Sequence, residues 1–563
     1  MFPARCLMVK KILQFLEKEV GGLHQAAYLL ASFAFLSHLL ALVRDRLLAH
    51  IFGAGAQLDL YYAAFRIPDF IFITAGSLVS LSILVPLLIE RREKGEGEEK
   101  TLINNLFSFF SLFIFLVSVI AFFVMPFLVS VVFPGFKAEN IPQLVSLSRL
   151  LLLSPIFLGF SNLFGSVAQA HRRFFVYAIA PTLYNLGIIL GIIAFASSYG
   201  VKGVAFGVVF GAFLHMIIQL PVIVSQGLIP KFSFDFSAIK YIILLSLPRT
   251  FTLSISYISI LFLLALASFE TVGSISIFSF SFNLQSVPLS VIGVSYSLAA
   301  FPTLARLFSN GEKQKFIDQM LTSARHIIFW SIPITVLFIV LRAQIVRVAF
   351  GSGEFDWFDT RLTAAALALF VISCVFQSLT LLFVRSYYST GKTLKPLFIN
   401  LFGGIITVFA AYFLISAFKS SSFFKFFIEA LFRVEDIPGT EVLMLPLAYS
   451  IGSFFTGLLL WVAFERDFAR FSKPLLTTFF HTFSSSVIMG FYTYLSLNFL
   501  SLIFDIQTFV GIFLQGFFSC IVGIVIGILV LELLDNVELK EVTTAFKEKI
   551  WKVKAISPDA DLG

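Results

Sequence analysis

Ionisable side chains interrupt an otherwise apolar stretch, residues 38–86, near the start of the chain. They include Arg44, Asp45, Arg46, Asp59 and Arg66. An ionised group at membrane depth costs roughly 2.5–3.5 kcal/mol on insertion scales, so its presence commonly marks a functional site. Arg44 is the best candidate, because a guanidinium is permanently charged and can hold two phosphate oxygens at once. The alternative is that Arg44 makes only an internal salt bridge, with Asp45 or Asp59.

Three further residues are candidates for the same chemistry. His38 either donates a hydrogen bond into a cavity or forms one inside a helix bundle. Arg66 lies two residues before Pro68, and its alternative role is to extend along its helix towards the membrane interface. Arg249 directly follows Pro248, so a loosened helix backbone and a cation coincide there.

The polar side chains do not match the pattern of an enzyme. The sequence has no glycine-rich phosphate loop, no nucleophile elbow and no zinc-binding pair. Its cysteines, Cys6, Cys374 and Cys520, lie far apart and fit neither a disulfide framework nor a zinc site. We therefore expect no enzymatic activity, no bound cofactor and no metal site.

Composition indicates a helical membrane protein. Of the 563 residues, 58% are apolar and only 13% are charged, against about 25% charged in soluble domains. Apolar runs long enough to cross a bilayer recur along the whole chain. The net charge of +8 is collected in the connections between these runs. Because no basic stripe interleaves with aromatic rings, we expect no nucleic-acid partner.

The hydropathy pattern predicts an all-α fold with fourteen membrane-spanning helices. The predicted spans cover residues 23–51, 61–89, 103–133, 146–170, 174–197, 203–228, 239–268, 272–304, 326–350, 360–388, 396–418, 443–464, 475–499 and 507–534. Lys and Arg concentrate in the connections after even-numbered spans, which predicts that both termini face the cytoplasm. Residues 1–22 are predicted to be an interfacial segment and residues 536–563 a cytoplasmic tail.

Within the sixth span, Gly203, Gly207 and Gly211 recur every four residues. Residues at this spacing lie on one face of a helix, and their lack of side chains allows another helix to approach closely. The three glycines therefore predict a helix-packing face and not a nucleotide-binding loop.

Prolines and an asparagine indicate an internal repeat. Four positions of the first half recur at a nearly constant offset in the second: Pro68 with Pro288, Pro86 with Pro302, Pro181 with Pro396 and Asn185 with Asn400. Repeated halves are a common plan for secondary transporters, whose substrate site lies where the repeats meet. We predict an N-terminal lobe at 23–232, a C-terminal lobe at 233–465, and two additional spans at 466–535.

Several segments resemble one known family. The span 1–2 signature of the MurJ (MviN-type) lipid II flippases is similar to RDRLLAHIFGAGAQLDLYYAAFRIP, and their span 4–5 segment is similar to GSVAQAHRRFFVYAIAPTLYNLGIILG. Their span 6 resembles GVAFGVVFGAFLHMIIQLP, and segments of their second half resemble LPRTFTLSISYIS, IGVSYSLAAFPTLAR and YYSTGKTLKP. The similarity covers roughly residues 24–415 and identifies the chain as a divergent relative of this family, within the MATE-like exporter superfamily.

The resemblance implies a transporter with a cationic central cavity that works by alternating access. Its cargo would be undecaprenyl-pyrophosphate-linked muropeptide, moved from the cytoplasmic to the outer leaflet for peptidoglycan synthesis and cell shape. Arg44, Asp45 and Asp59 match the family pattern and would line the cavity. The two additional spans would form a groove for the lipid tail.

The chain departs from the family pattern at several cavity positions. His38 stands where the family has an arginine early in span 1, and Asn283 stands where it has a cavity arginine in span 8. After the proline of span 2, the family's asparagine and paired arginines are replaced by Asp69, Phe72 and Ile73. The expected pyrophosphate site therefore has fewer cations than the family pattern provides.

Arg66, Arg249 and His38 are the candidates to replace the missing cations. With them, the sequence predicts a flippase for a lipid-linked cell-wall precursor in the bacterial cytoplasmic membrane, driven by the membrane potential or an ion. Its partners would be the lipid-linked saccharide, membrane lipids and enzymes of envelope synthesis. Two alternatives stay open: transport of another lipid-linked glycan or an amphipathic small molecule, and a membrane scaffold that transports nothing.

Overall fold

A computed structural model of the protein describes residues 23–78, 81–468 and 472–551. Within these ranges the regular elements are helices, and no β-strand is present. The predicted interfacial segment at 1–22 lies outside the described residues.

Ten helices precede residue 268, and twelve further α-helices follow in the described ranges. The first ten are α1 (Leu23–Phe52), α2 (Ala56–Leu78), α3 (Leu81–Lys94), α4 (Glu96–Val132), α5 (Ile141–Leu151), α6 (Leu153–Ala170), α7 (Phe174–Tyr199), α8 (Val201–Ile217), α9 (Leu220–Ser225) and α10 (Phe236–Ala267). The others are α11 (Ser274–Pro288), α12 (Ser295–Ser309), α13 (Lys313–Val340), α14 (Arg342–Phe350), α15 (Trp357–Ile372), α16 (Cys374–Ser389), α17 (Leu394–Ser420), α18 (Ser422–Phe432), α19 (Met444–Asp467), α20 (Ser472–Leu500), α21 (Phe509–Leu533) and α22 (Val537–Trp551). A π-helical turn, Leu289–Val294, joins α11 to α12.

Eleven helical segments in the described part of the chain are long and apolar enough to cross a membrane. They overlap eleven of the fourteen predicted spans. The predicted span 326–350 has wrong bounds, because α13 begins at Lys313 and ends at Val340, and α14 follows it. The other three predictions, 61–89, 239–268 and 475–499, fall on the helices α2 and α3, α10 and α20. The predicted all-α, multi-pass fold is therefore confirmed, while the count of fourteen stays a prediction, as does the orientation of the termini.

The chain divides into two compact units. The first unit comprises Met1–Ser281, Ala349–Ala366 and Leu397–Ala448, and the second comprises Phe282–Val348, Leu367–Pro396 and Tyr449–Gly563. These units are not a test of the predicted lobes at 23–232 and 233–465, because the lobes were defined by the sequence repeat. The lobes and the additional pair of spans at 466–535 stay a prediction.

Helices α7 and α8 of the first unit approach each other backbone to backbone. A Cβ atom added to Gly191 would lie 2.3 Å from the Cα of Gly207, and one added to Gly187 would lie 2.3 Å from the Cα of Gly211. A Cβ atom on Gly203 would lie 2.4 Å from a backbone oxygen of α7. Because only glycine fits at such distances, the packing face predicted for Gly203, Gly207 and Gly211 is confirmed.

Replacement of Gly207 by alanine tests this contact. We expect Gly207→Ala to lower the free energy of unfolding by about 1–3 kcal/mol, because overpacking forces the two helices apart. Thermal unfolding of the detergent-purified protein measures the effect. The matched control is Gly97→Ala, since no atom lies within 4 Å of a Cβ added at Gly97. A Gly207→Ala protein as stable as the native chain would contradict the close approach.

The last described helix, α22, is anchored in the second unit by a buried carboxylate. Glu538 accepts hydrogen bonds from the Nε of Arg325 on α13 and from the hydroxyl of Thr478 on α20, both at 2.6 Å. Asn536 caps the helix, because its Oδ1 accepts a hydrogen bond from the N–H of Leu539 at 2.8 Å. Burial alone would raise the pKa of Glu538, but the Thr478 hydrogen bond and the Arg325 cation outweigh it and lower that pKa.

The lowered pKa of Glu538 predicts an acid-sensitive attachment of α22. Because its pKa is lower in the folded than in the unfolded chain, the carboxylate stabilises the attachment fully above the usual glutamate pKa of about 4.3. This stabilisation is lost as the pH falls through the lowered value. We expect limited proteolysis of the full-length protein to release the tail increasingly under these acidic conditions.

Substitution of Glu538 separates this effect from other titrations. His326 and Glu541 lie 3.0 Å apart beside the same helix, so α22 has a second ionisable contact. Glu538→Gln should therefore weaken the attachment at neutral pH and remove the acid-dependent release, whereas Glu532→Gln, at an exposed position, should retain it. Identical pH profiles for Glu538→Gln and the native chain would refute the role of Glu538.

Candidate functional site

Arg44 occupies the C-terminal half of α1 and is held by two partners within the first unit. Its Nε donates to Oδ1 of Asp45 at 2.8 Å, and its Nη2 lies 2.8 Å from the same oxygen. Its Nη1 donates to Oδ1 of Asn185 on α7 at 3.0 Å. The side chain of Arg44 stays 21% exposed, while that of Asp45 is only 7% exposed. Arg44 thus makes the internal salt bridge, with Asp45 as its partner, and its side chain stays partly exposed.

Asn185 is the residue of this group that the sequence did not single out as a site residue. Its Nδ2 donates to the hydroxyl of Ser37 at 3.1 Å, to the Ser37 carbonyl at 3.3 Å and to the Pro181 carbonyl at 3.2 Å. These bonds fix the amide so that its oxygen faces Arg44. The available signal was the Pro181–Asn185 pair of the internal repeat, which marks the position without revealing its partner.

Asp59 makes several hydrogen bonds to one helix N-terminus, and the cavity position that the family resemblance implies for it stays a prediction. It is buried at the start of α2, and its Oδ2 accepts from the N–H of Gly273 at 2.6 Å. Its Oδ1 accepts from the N–H and the hydroxyl of Ser276, at 2.8 Å and 2.6 Å. An acidic side chain in this geometry satisfies the free N–H groups at a helix N-terminus and complements the helix dipole. Asp59 therefore caps α11.

The glycine turn before Asp59 is part of the same junction. The N–H of Ala54 donates to Oδ2 of Asp359 at 3.0 Å. Gly53 has a φ of +57°, and a Cβ atom there would lie 2.6 Å from the backbone oxygen of Glu354. Gly273 is equally close to Ala54, because a Cβ atom added to Gly273 would lie 2.1 Å from the backbone oxygen of Ala54. Residues 53–59 thus contact two other segments of the first unit, 273–276 and 354–359.

Arg66 and Tyr62 lie one turn apart on α2. The Nη2 of Arg66 donates to the hydroxyl of Ser279 at 3.3 Å, and its backbone carbonyl accepts from the hydroxyl of Tyr257 at 3.1 Å. The Nε of Arg66 and the hydroxyl of Tyr62 are buried and have no hydrogen-bond partner among the described residues. Arg66 is therefore bonded to α10 and α11 through Tyr257 and Ser279, and it is partly exposed.

His38 and Arg46 also belong to the first unit. His38 is exposed on α1, and Arg46 donates to the backbone oxygen of Ala349 at 3.5 Å. Asn283 belongs to the second unit, and the side chain of Arg249 lies outside the described part of the structure. Across the residues described, no group of three His, Cys, Asp or Glu side chains is placed to share a metal ion. The structure thus brings together Arg44 and Asp45, with Arg66 as a separate cation on the next helix.

These features define a multi-span helical membrane protein with partly exposed and partly unpaired cationic donors inside its bundle. A family model described as "Lipid II flippase MurJ" matches residues 48–423, which is more than half of the chain. The chain belongs to this family.

Relatives in bacteria and solved structures agree with this assignment. The chain is 27% identical over 386 residues to a probable lipid II flippase MurJ of Haemophilus influenzae, covering 65% of this chain and 76% of that protein. It is 24% identical over 377 residues to the probable lipid II flippase MurJ of Borreliella burgdorferi, covering 66% and 74%. A structure of lipid II flippase MurJ in an inward closed conformation has a TM-score of 0.71 at 21% identity, and covers 92% of this chain and 100% of its own.

The fold also resembles that of multidrug transporters. An inward-facing MATE family transporter has a TM-score of 0.61 at 14% identity, covering 78% of this chain and 98% of its own. At this identity the likeness shows only the shared fold.

Removal of the Asp59 carboxylate tests its capping role. We expect Asp59→Ala to lower the free energy of unfolding by about 2 kcal/mol, as the loss of a strong N-terminal cap does. Asp59→Asn should cost less, because the amide oxygen still accepts one hydrogen bond. Thermal unfolding in detergent measures both, with Glu139→Ala, whose side chain is 73% exposed, as the control. An Asp59→Ala protein that unfolds like the native chain but has lost activity would instead indicate a ligand-binding role.

Proposed function

We propose that this chain is a flippase that carries a lipid II-like, polyprenyl-pyrophosphate-linked cell-wall precursor across the bacterial cytoplasmic membrane. The family assignment supports this cargo. The single observation that carries the proposal is Arg44, a permanent cation held inside the first unit by Asp45 and Asn185, with 21% of its side chain exposed. A scaffold without transport activity would have no need of a permanent cation in this partly exposed position.

The chemistry of Arg44 suits a pyrophosphate headgroup. A guanidinium can donate two parallel hydrogen bonds to phosphate oxygens, and such charge-assisted bonds are roughly twice as strong as neutral ones. Asp45 offsets the charge of Arg44 when no cargo is bound, so the empty site does not contain an isolated cation. Because the neighbouring residue Asp45 balances the charge of Arg44, the site can be empty or loaded without unfolding the helices around it.

Helices α20 and α21 of the second unit are the proposed surface for the lipid tail. They pack closely, because a Cβ atom added to Gly523 would lie 2.0 Å from the hydroxyl of Thr493. Large apolar side chains on α20, such as Phe480, Phe491 and Phe499, remain exposed. An apolar surface of this kind fits a polyprenyl chain as well as membrane lipid.

The orientation, the transport cycle and the partners of the proposed flippase are those that the sequence predicts. Both termini face the cytoplasm, and the site opens alternately to the two sides of the membrane. The membrane potential or a co-transported ion drives the cycle, and the protein performs no covalent catalysis. Enzymes that make the precursor on one side and consume it on the other are the expected partners.

Complementation of a conditional lipid II flippase deletion tests the cargo and the role of Arg44. We expect the native chain to restore growth and Arg44→Ala to fail, because neutral alanine cannot hold the headgroup. Growth under depletion conditions is the measurement, with membrane expression of each variant checked by immunoblot.

Loss of Arg44 also removes the ion-pair partner of the buried Asp45, so a second variant is needed to separate binding from folding. Arg44→Gln combined with Asp45→Asn removes both charges while it retains hydrogen-bonding side chains. We expect this double variant to reach the membrane and still fail to restore growth. Restored growth by the double variant would show that the charge of Arg44 serves only the ion pair, and failure of the well-expressed native chain would favour another cargo.

A further inference from the structure

The short helix α18 begins where a membrane-spanning helix ends. Helix α17 is long and apolar enough to cross a bilayer, and only Ser421 separates it from α18. The hydroxyl of Ser421 caps α18 by accepting a hydrogen bond from the N–H of Phe424 at 3.3 Å. With 11 residues, α18 is about 16 Å long, roughly half of the hydrocarbon thickness of a bilayer. It therefore starts at the edge of the membrane and is too short to cross it.

The side of α18 that faces away from the protein is apolar. Four large side chains form this outer face, and each is exposed over 52% to 80% of its surface: Phe423, Phe426, Phe427 and Leu431. Successive residues are about 100° apart around a helix, so these four lie within an arc of about 140°. No charged residue of α18 falls in this arc. The buried residues Ile428 and Glu429 lie on the opposite side of the helix.

Polar contacts on the buried side fix the orientation of α18. Oε1 of Glu429 accepts a hydrogen bond from the hydroxyl of Thr440 at 2.5 Å, and both residues are buried. At the C-terminal end of α18, the guanidinium of Arg361 on α15 donates to the backbone oxygen of Arg433. A rotation that buried the outer face would break these bonds and expose the Glu429 carboxylate. The fold therefore holds the outer face towards its surroundings.

The cations beside the outer face are already paired with carboxylates. Nζ of Lys419 lies 2.9 Å from an oxygen of Glu270, and Nζ of Lys425 lies 3.9 Å from an oxygen of Glu429. Because the charges of each pair offset each other, they give the outer face no strong attraction for an anionic or a cationic partner. A contiguous exposed apolar surface instead indicates contact with an apolar medium or partner.

The position of α18 in the chain favours lipid as this medium. On α17, the side chains of Phe409, Tyr412 and Phe413 are 69% to 71% exposed. Because α17 has the length and hydropathy of a membrane span, lipid is the medium that these exposed rings contact. Helix α18 follows this span after one residue, so the same bilayer reaches the outer face without a further protein.

We propose that α18 is an interfacial anchor, which inserts its outer face into the bilayer at the boundary between headgroups and acyl chains. Interfacial helices lie in the membrane plane with their apolar face buried about 5–10 Å into this boundary. The side that would be polar in a free interfacial helix is here bound to the protein. On the predicted orientation of the termini, the leaflet is the outer one. This inference goes beyond the proposed function and holds for any cargo.

Depth-dependent fluorescence quenching of the full-length protein in phosphatidylcholine proteoliposomes tests the anchor. Phe427→Trp adds an indole to the outer face, and the added emission is the difference from the native chain, which contains four tryptophans. We expect lipid brominated near the headgroup end of its acyl chains to reduce the added emission about twofold or more, because the indole lies at interfacial depth. Lipid brominated near the chain ends should quench less. Addition of phosphatidylglycerol should change neither value, since the neighbouring charges are paired.

An exposed position on the charged segment provides the control. Glu93 lies near the end of α3 and is exposed. The added emission of Glu93→Trp should be quenched by iodide supplied on both sides of the membrane, and by neither brominated lipid. Thermal unfolding of both variants should match that of the native chain, because both positions are exposed at the surface.

Three results would overturn the anchor. Quenching of the Phe427→Trp emission by iodide and not by brominated lipid would place the outer face in water. Resistance to both quenchers would mean that a second copy of the chain covers it, and stronger quenching by bromine near the chain ends would contradict the interfacial depth. None of these results depends on transport, so the anchor can fail while the flippase proposal stands, and the reverse is equally possible.

Discussion

The ion pair between Arg44 and Asp45 is the interaction on which the first unit's interior depends. A lone charge in an apolar helix bundle is expensive, and the pair reduces this cost by placing the two charges 2.8 Å apart. Asn185 then binds the guanidinium from α7, so that the same contact which satisfies the charge also fixes α1 against α7. The partners of Arg44 therefore determine how this site is built. The part of the Arg44 side chain that stays exposed is available to cargo.

The charged stretch that contains Arg44 serves two purposes. Asp59 and the glycine turn before it hold the N-terminus of α11 and the segment around Asp359, which is a structural task. Arg44 and Arg66 present donors that the protein itself does not fully use. One stretch of closely spaced charges thus contains both a junction between segments and a binding surface. The hydrogen-bond partners of each residue show which of these two roles it has.

Sequence patterns predicted the parts of this structure that depend on local regularity. Apolar runs of bilayer length placed eleven spans, and the four-residue spacing of Gly203, Gly207 and Gly211 placed a close helix contact. The sequence could not predict hydrogen-bond partners that are distant along the chain. Asn185 lies 141 residues from Arg44, and Gly273 lies 214 residues from Asp59. Tyr62 gave no signal either, since a tyrosine in an apolar helix looks like an ordinary core residue until its hydroxyl is found unpaired.

Translocation of fluorescent lipid II in proteoliposomes tests the central claim most directly, because it measures transport without the contributions of a living cell. The native chain should move the labelled lipid between leaflets faster than protein-free vesicles do. The Arg44→Gln/Asp45→Asn protein, reconstituted at the same density and equally folded, should not exceed the protein-free rate. Equal rates for the native chain and this double variant would contradict the claim that the charge of Arg44 holds the headgroup.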